Sequence, residues 1–187
     1  EVDISPEAPT TDRIEQYIAF VQKADKRQLL IDLIEGQMVA CGIVFTRTKH
    51  GANRLAKQLS KVGIPSDSIH GDKSQTARTR ALNAFRNGDV FILVATDIAS
   101  RGIDVEDITH VFNFDLPNEP EVYIHRIGRT ARAGRDGLAY SFCDETESGY
   151  LVGIQRLLGE EIEVLEDQPY HFEKARPKPG QKPGRVK

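Results

Sequence analysis

Cysteine is scarce in this chain. The two present, Cys41 and Cys143, lie far apart, each inside an apolar segment. That pattern excludes a disulfide framework or a cysteine metal site and reads as two small buried hydrophobes. A reducing, cytoplasmic setting is expected. Long hydrophobic runs are missing as well. No stretch approaches the length of a membrane span, and no signal-peptide pattern opens the chain. No membrane partner is expected. A third absence concerns chemistry. No Gly-x-x-x-x-Gly-Lys-Ser/Thr occurs anywhere, so no loop is available to cradle β- and γ-phosphates. Metal-ligating clusters are absent too, and Mg2+ has no evident ligands.

What is present suits one domain of ordinary size, with 187 residues, 39% apolar and 28% charged. The net charge of -3 hides an asymmetry. From Gln168 onward, Lys174, Arg176, Lys178, Lys182, Arg185 and Lys187 face a single acid, Glu173. That segment is therefore +5 and the remainder -8, with His neutral. A body this acidic is no generic polycation binder, and any nucleic-acid contact must come from local arginines, backbone amides and the tail.

One local concentration of charge breaks the acidic pattern. His125 to Gly134 reads His-Arg-Ile-Gly-Arg-Thr-Ala-Arg-Ala-Gly, with Arg126, Arg129 and Arg132 at spacing three. Arginine keeps its charge, and its planar fork fits phosphate oxygens. On a helix, residues three apart share a face, so the three forks would converge. The plain alternative is a solvated basic face.

The rest of the pattern alternates strand and helix. Residues 1–10 carry two prolines and look like a linker, and the chain starts without Met, as a piece of something larger would. A helix is expected to begin near Thr11 or Asp12, followed by an amphipathic one over Lys26 to Ile34. Strands are expected at Val39–Phe45, Pro65–His70, Val90–Ala95, Thr109–Phe114, Leu138–Cys143 and Glu161–Leu165. Helices are expected at Lys49–Val62, Gln75–Asn87, Pro120–Thr130 and Glu147–Leu158. This order implies an α/β domain over residues 11–167, an open and mostly parallel sheet with helices on both faces. Residues 168–187 hold almost no apolar side chains and are expected to be disordered. In such a sheet ligands gather at the carboxyl ends of strands. Thr46–Lys49, Thr96–Asp104 and the arginine cluster all follow strands.

These residues resemble the C-terminal RecA-like domain of DEAD-box ATP-dependent RNA helicases, and among them a bacterial RhlE-like group. The likeness covers roughly Thr11 to Glu166. It rests on Ile43-Val-Phe-Thr-Arg-Thr48 (motif IV), His70-Gly71, Gln75-x-x-Arg78 with Phe85-Arg86-x-Gly88 (motif IVa), Ala95-Thr-Asp-Ile-Ala-Ser-Arg-Gly-Ile-Asp104 (motif V) and His125 to Gly134 (motif VI). Singly each is weak; in this order and spacing they are specific.

The resemblance implies roles residue by residue. Thr48, Gly71, Gln75, Arg78, Thr96, Asp97, Arg101 and Gly102 are expected at RNA phosphates and sugars, and Thr46 and Thr48 end a strand where capping is the rival role. Hydroxyls, amides and arginines suit that task, and a helix N-terminus at Gln75 favours anions. Asp104 is expected to accept from the ATP ribose hydroxyls. Arg132 matches the arginine finger, with Arg129 beside it on the γ-phosphate. His125 and Arg126 are expected to couple motif VI to motif V and to the acidic motif of another domain. That domain, an N-terminal RecA-like one, would supply the phosphate loop, the Asp-Glu-Ala-Asp and the Mg2+ ligands that this chain lacks. ATP and RNA would then sit between two halves, and this domain alone, expected as a monomer, would be inactive. Two other readings compete: a stand-alone RNA- or protein-binding module, and a fragment of a DNA helicase.

Overall fold

The computed structural model describes residues 13–132 and 134–184; the linker at 1–10, together with Arg185 and Lys187, lies outside them. Seven parallel strands form one sheet in the order β3-β4-β2-β5-β6-β1-β7. They are β1 (Ile14–Phe20), β2 (Gly42–Phe45), β3 (Ser66–Ile69), β4 (Ile92–Ala95), β5 (His110–Asn113), β6 (Gly137–Cys143) and β7 (Glu163–Val164). The helices are α1 (Lys26–Gly36), α2 (Lys49–Lys61), α3 (Gln75–Arg86), α4 (Pro120–Ile127) and α5 (Ser148–Leu158).

Central strands β2, β4 and β5 are buried along their whole length, as continuous apolar runs predict for a sheet covered on both faces. Their alternate residues divide between two cores. Ile43, Phe45, Leu93 and Val111 pack with Leu82, Tyr123, Ile127, Leu151 and Ile154 from α3, α4 and α5. Val44, Ile92, Val94 and Phe112 pack with Leu29, Leu30, Leu55 and Leu59 from α1 and α2. This is the RecA-like arrangement expected of the sequence.

Two expectations need correction. The segment after Asp12 is a strand, not a helix. It pairs parallel with β6, from Ile14 opposite Gly137 to Phe20 opposite Cys143. Ile14, Ile18 and Phe20 recur at period two and enter one core, and that spacing belongs to a strand. The tail, in turn, is placed along the body as far as Gly184. Its Phe172 amide donates to the Phe20 carbonyl (2.8 Å), and the Gly184 amide donates to the Gly149 carbonyl (2.8 Å). Ala175 is fully buried, and Arg176 lies over the Phe20 ring at 5.0 Å. Counting apolar residues missed two things. Backbone amides and a guanidinium anchored the segment, and its prolines reduce the freedom lost on ordering.

Candidate nucleotide and nucleic-acid interface

The sheet order makes the site. β4, β2 and β5 are neighbours, and the chain leaves β2 towards β3 but leaves the adjacent β5 towards β6, so the connections part in opposite directions between β2 and β5. Such a reversal opens a crevice at the carboxyl ends of the strands. The loop after β2 carries Thr46 and Thr48, the loop after β4 carries Thr96 to Asp104, and α4 follows β5. Three segments distant in sequence therefore meet at one edge.

The loop after β4 is held from within. Arg78, from the second turn of α3, donates to the carbonyls of Ala99 (2.5 Å) and Arg101 (2.7 Å). Arg86, about two turns further along α3, donates to the Asp104 carbonyl at 3.2 Å. Ser100 donates to the Asp97 carbonyl (2.8 Å). Gly102 has φ +77°, a conformation that favours glycine. A Cβ at Gly102 or at Gly71 would meet nothing within 4 Å in this chain, so both positions are open to an outside molecule. Arg101, Asp104, Gly71, Gln75 and Thr48 are exposed and Thr96 is half-buried. Thr48 also caps α2, accepting from the Gly51 amide at 3.0 Å, and Ser74 caps α3 in front of Gln75. Among the expected RNA residues, Arg78 has its fork engaged by the loop, and Asp97 is engaged in its turn by Arg126.

The arginine cluster does not form one helical face. α4 ends at Ile127, and Ala131 takes a left-handed conformation (φ 57°). Arg126 is buried. Its Nε and Nη2 grip Asp97 Oδ1 (2.6 Å) and Oδ2 (2.8 Å). Its Nη1 donates to Asn113 Oδ1 (3.2 Å) and the Asp115 carbonyl (2.6 Å), and its plane lies 5.2 Å from the Phe45 ring centre. Coupling to motif V is thus present, and the Arg126 bonds that make it run inside this domain. Asp97 in turn is a partner of Arg126. A carboxylate so engaged positions the loop.

Arg129 and Arg132 sit in the turn beyond the helix. Thr130, between them, is buried and donates to the Ile108 carbonyl (2.6 Å). Gly137 permits the turn to press against β6, since a Cβ there would come within 2.8 Å of the Ala131 amide. Arg129 Nε is buried with no hydrogen-bond partner among the described residues. Burial first, and then the neighbouring Arg132 charge, hold its guanidinium below its ordinary range. A buried, unpaired donor beside a like charge is a costly arrangement that an anion relieves. Arg129 shares a cleft of about 250 Å³ with Asp97, Ile98, Arg101, exposed His125 and Arg126.

One charged cluster escaped the sequence reading. Lys26 is buried at the start of α1, with its Nζ 2.6 Å from Glu147, 3.3 Å from Asp115 and 3.3 Å from Asp144. A signal was available, since Lys26 stands at helical spacing from Leu29 and Leu30, on the apolar side of α1. No group of three or more His, Cys, Asp or Glu suited to a metal occurs among the described residues.

Similar proteins supply the family. The model of the helicase conserved C-terminal domain matches residues 25–134, more than half of the chain. The chain is a C-terminal helicase domain of the DEAD-box family. It is 42% identical over 164 residues to DEAD-box ATP-dependent RNA helicase CshA of Geobacillus kaustophilus, covering 88% of this chain and 35% of that protein. Its fold is similar to E. coli DEAD-box protein SrmB, solved bound to regulator of ribonuclease activity A. The TM-score is 0.78 at 35% identity, with 94% of this chain and 100% of that chain covered. It is also similar to S. cerevisiae Dbp5, solved bound to RNA and ADP BeF3. There the TM-score is 0.73 at 35% identity, with 81% and 41% covered. The chain spans about a third of the length of the curated relatives it matches. The RhlE-like group is named by none of these three relatives and stays an expectation of the sequence.

Proposed function

We propose that this domain is the ATP- and RNA-closing half of an ATP-dependent RNA helicase. The observation that carries the reading is Arg129, which lines a cleft bordered by motif V with its buried Nε unpartnered among the described residues and the Arg132 charge near it. That pair fits phosphate, whose oxygens accept from guanidinium forks. Arg132 would stabilise the charge that builds on the transferring γ-phosphate, and Arg129 would hold the same group in place. Asp104, exposed at the end of the motif V loop, would accept from the ribose hydroxyls. Mg2+ would neutralise phosphate charge, but none of the described residues gathers to hold it. Its ligands and the phosphate loop are assigned to an N-terminal RecA-like domain.

RNA would lie across the exposed Thr48, Gly71, Gln75, Arg101 and Gly102 and the half-buried Thr96. These are hydroxyls, amides and one cation, which read backbone and leave the bases largely unread. Closure of the two halves would bring Arg129 and Arg132 to the nucleotide, and phosphate release would reopen the cleft. A cytoplasmic location fits this role.

The test uses the protein carrying both halves. RNA-stimulated ATP hydrolysis should collapse in Arg132→Ala and Arg129→Ala while RNA is still bound. Hydrolysis by this domain alone at the rate of the two-half protein would overturn the reading. Stimulation by DNA equal to that by RNA would move the substrate to DNA.

A further inference from the structure

We propose that Glu147 is a positioning residue for the arginines of motif VI, acting through the turn between β5 and α4. This rests on the ATP-site reading above. Glu147 lies outside every motif, in the 3-10 turn between β6 and α5, and is almost wholly buried.

Its two oxygens hold four donors from four places in the chain. Oε2 accepts from the Leu116 amide (2.7 Å) and from Arg47 Nη2 (3.2 Å). Oε1 accepts from Lys26 Nζ (2.6 Å) and from the Asp144 amide (3.2 Å). Leu116 adjoins Asp115, which is fixed twice over. Asp115 Oδ2 accepts from the Arg47 amide (2.9 Å), and Oδ1 faces Lys26. The Asp115 carbonyl then accepts from Arg126 Nη1, and the other edge of Arg126 grips Asp97 of motif V. A continuous line of short, charge-assisted bonds therefore joins the loop after β6 to the loops after β2, β5 and β4. Such bonds are strong and directional in a poorly solvated interior.

Bulk stability alone does not account for a buried carboxylate here, since well-packed apolar residues commonly serve as well. What an apolar residue cannot do is fix the Leu116 amide and Asp115 in one place. That place sets where Arg126 is drawn, three residues before Arg129. Displacements of about 1 Å at a catalytic group can cost about a hundredfold in rate.

In the two-half protein, Glu147→Gln keeps the size and an acceptor for the Leu116 amide but loses the charge facing Lys26. It should lower kcat about tenfold, and Glu147→Ala about a hundredfold. The KM values for ATP and RNA should stay within about twofold, because binding in the ground state is untouched. The kcat loss should shrink when measured on an Asp97→Asn background, since both act through Arg126. Unchanged kcat in Glu147→Gln, with full loss in Arg132→Ala, overturns this inference and leaves the ATP-site reading standing. Unchanged hydrolysis in Arg132→Ala overturns that reading itself. A loss confined to KM, or one that multiplies independently with Asp97→Asn, reduces Glu147 to a structural residue. If Glu147→Ala fails to fold, Glu147→Gln alone decides.

Discussion

Arg126 and Arg129 stand three residues apart, yet the two regions they belong to could hardly differ more. Arg126 belongs to a closed network in which Asp97, Asn113, Asp115, Glu147, Lys26 and Arg47 satisfy one another. Arg129 and Arg132 belong to an open rim, with one Nε left without a partner and two like charges side by side. The difference teaches how charge divides its work. A cation whose donors all end on its own chain fixes geometry, whereas one left partly unpaired is ready for an anion from outside.

The comparison can be broken at either end. Arg132→Ala should lower ATP hydrolysis in the two-half protein by about 10³-fold or more. The same exposed change should move unfolding stability by no more than about 0.5 kcal/mol, as urea titration would report. The closed network should behave the opposite way. Lys26→Met leaves Asp115, Asp144 and Glu147 around an apolar side chain, and should cost about 3–5 kcal/mol in the same titration. A stability loss for the rim residue, or none for Lys26, would erase the distinction.

The tail offers a milder probe. Removing residues 168–187 uncovers Phe20 and the Cys143 side of the sheet, and should cost about 2 kcal/mol. Gly149→Ala does part of this, because its Cβ would come within 2.7 Å of the Gly184 amide, and should cost about 1 kcal/mol. If the tail also anchors RNA, its removal weakens RNA binding and flattens the salt dependence. Arg176 is an unpromising anchor, since Glu166 and Glu173 already accept from it.

A smaller effect is expected from pH. Burial holds His110 below its ordinary 6.5, and burial followed by the Lys73 charge does the same for His70. Each binds fewer protons folded than unfolded. Their contribution is therefore present above pH 6.5 and is lost as pH falls through the lowered folded values, at no more than about 1.4 kcal/mol per unit for each. Unfolding measured between pH 7 and 5 should show the decline, and His110→Gln should flatten it.

Much of this was readable in the sequence, for physical reasons. Val39–Phe45 and Val90–Ala95 announced buried strands because parallel strands are apolar on both sides, and β2 and β4 lie within those spans. The periodicity of Lys49–Val62 announced α2. The strand at Ile14–Phe20 was misread as a helix because its short period-two pattern gains meaning only beside β6. The tail was misread because composition does not register backbone amides such as those of Phe172 and Gly184.

At the site, the sequence by itself determined which residue types follow which strands, and that no phosphate loop lies among them. Those properties are local and linear. Tertiary structure alone decided which charges are free. Nothing in the spacing distinguishes Arg126 from Arg129. The end of α4 at Ile127, the left-handed turn at Ala131 and the adjacency of β4, β2 and β5 put one guanidinium against Asp97 and leave the Nε of the other without a partner among the described residues. Burial and pairing depend on neighbours in space, and for these arginines the neighbours come from the loops after β4 and β5, distant along the chain.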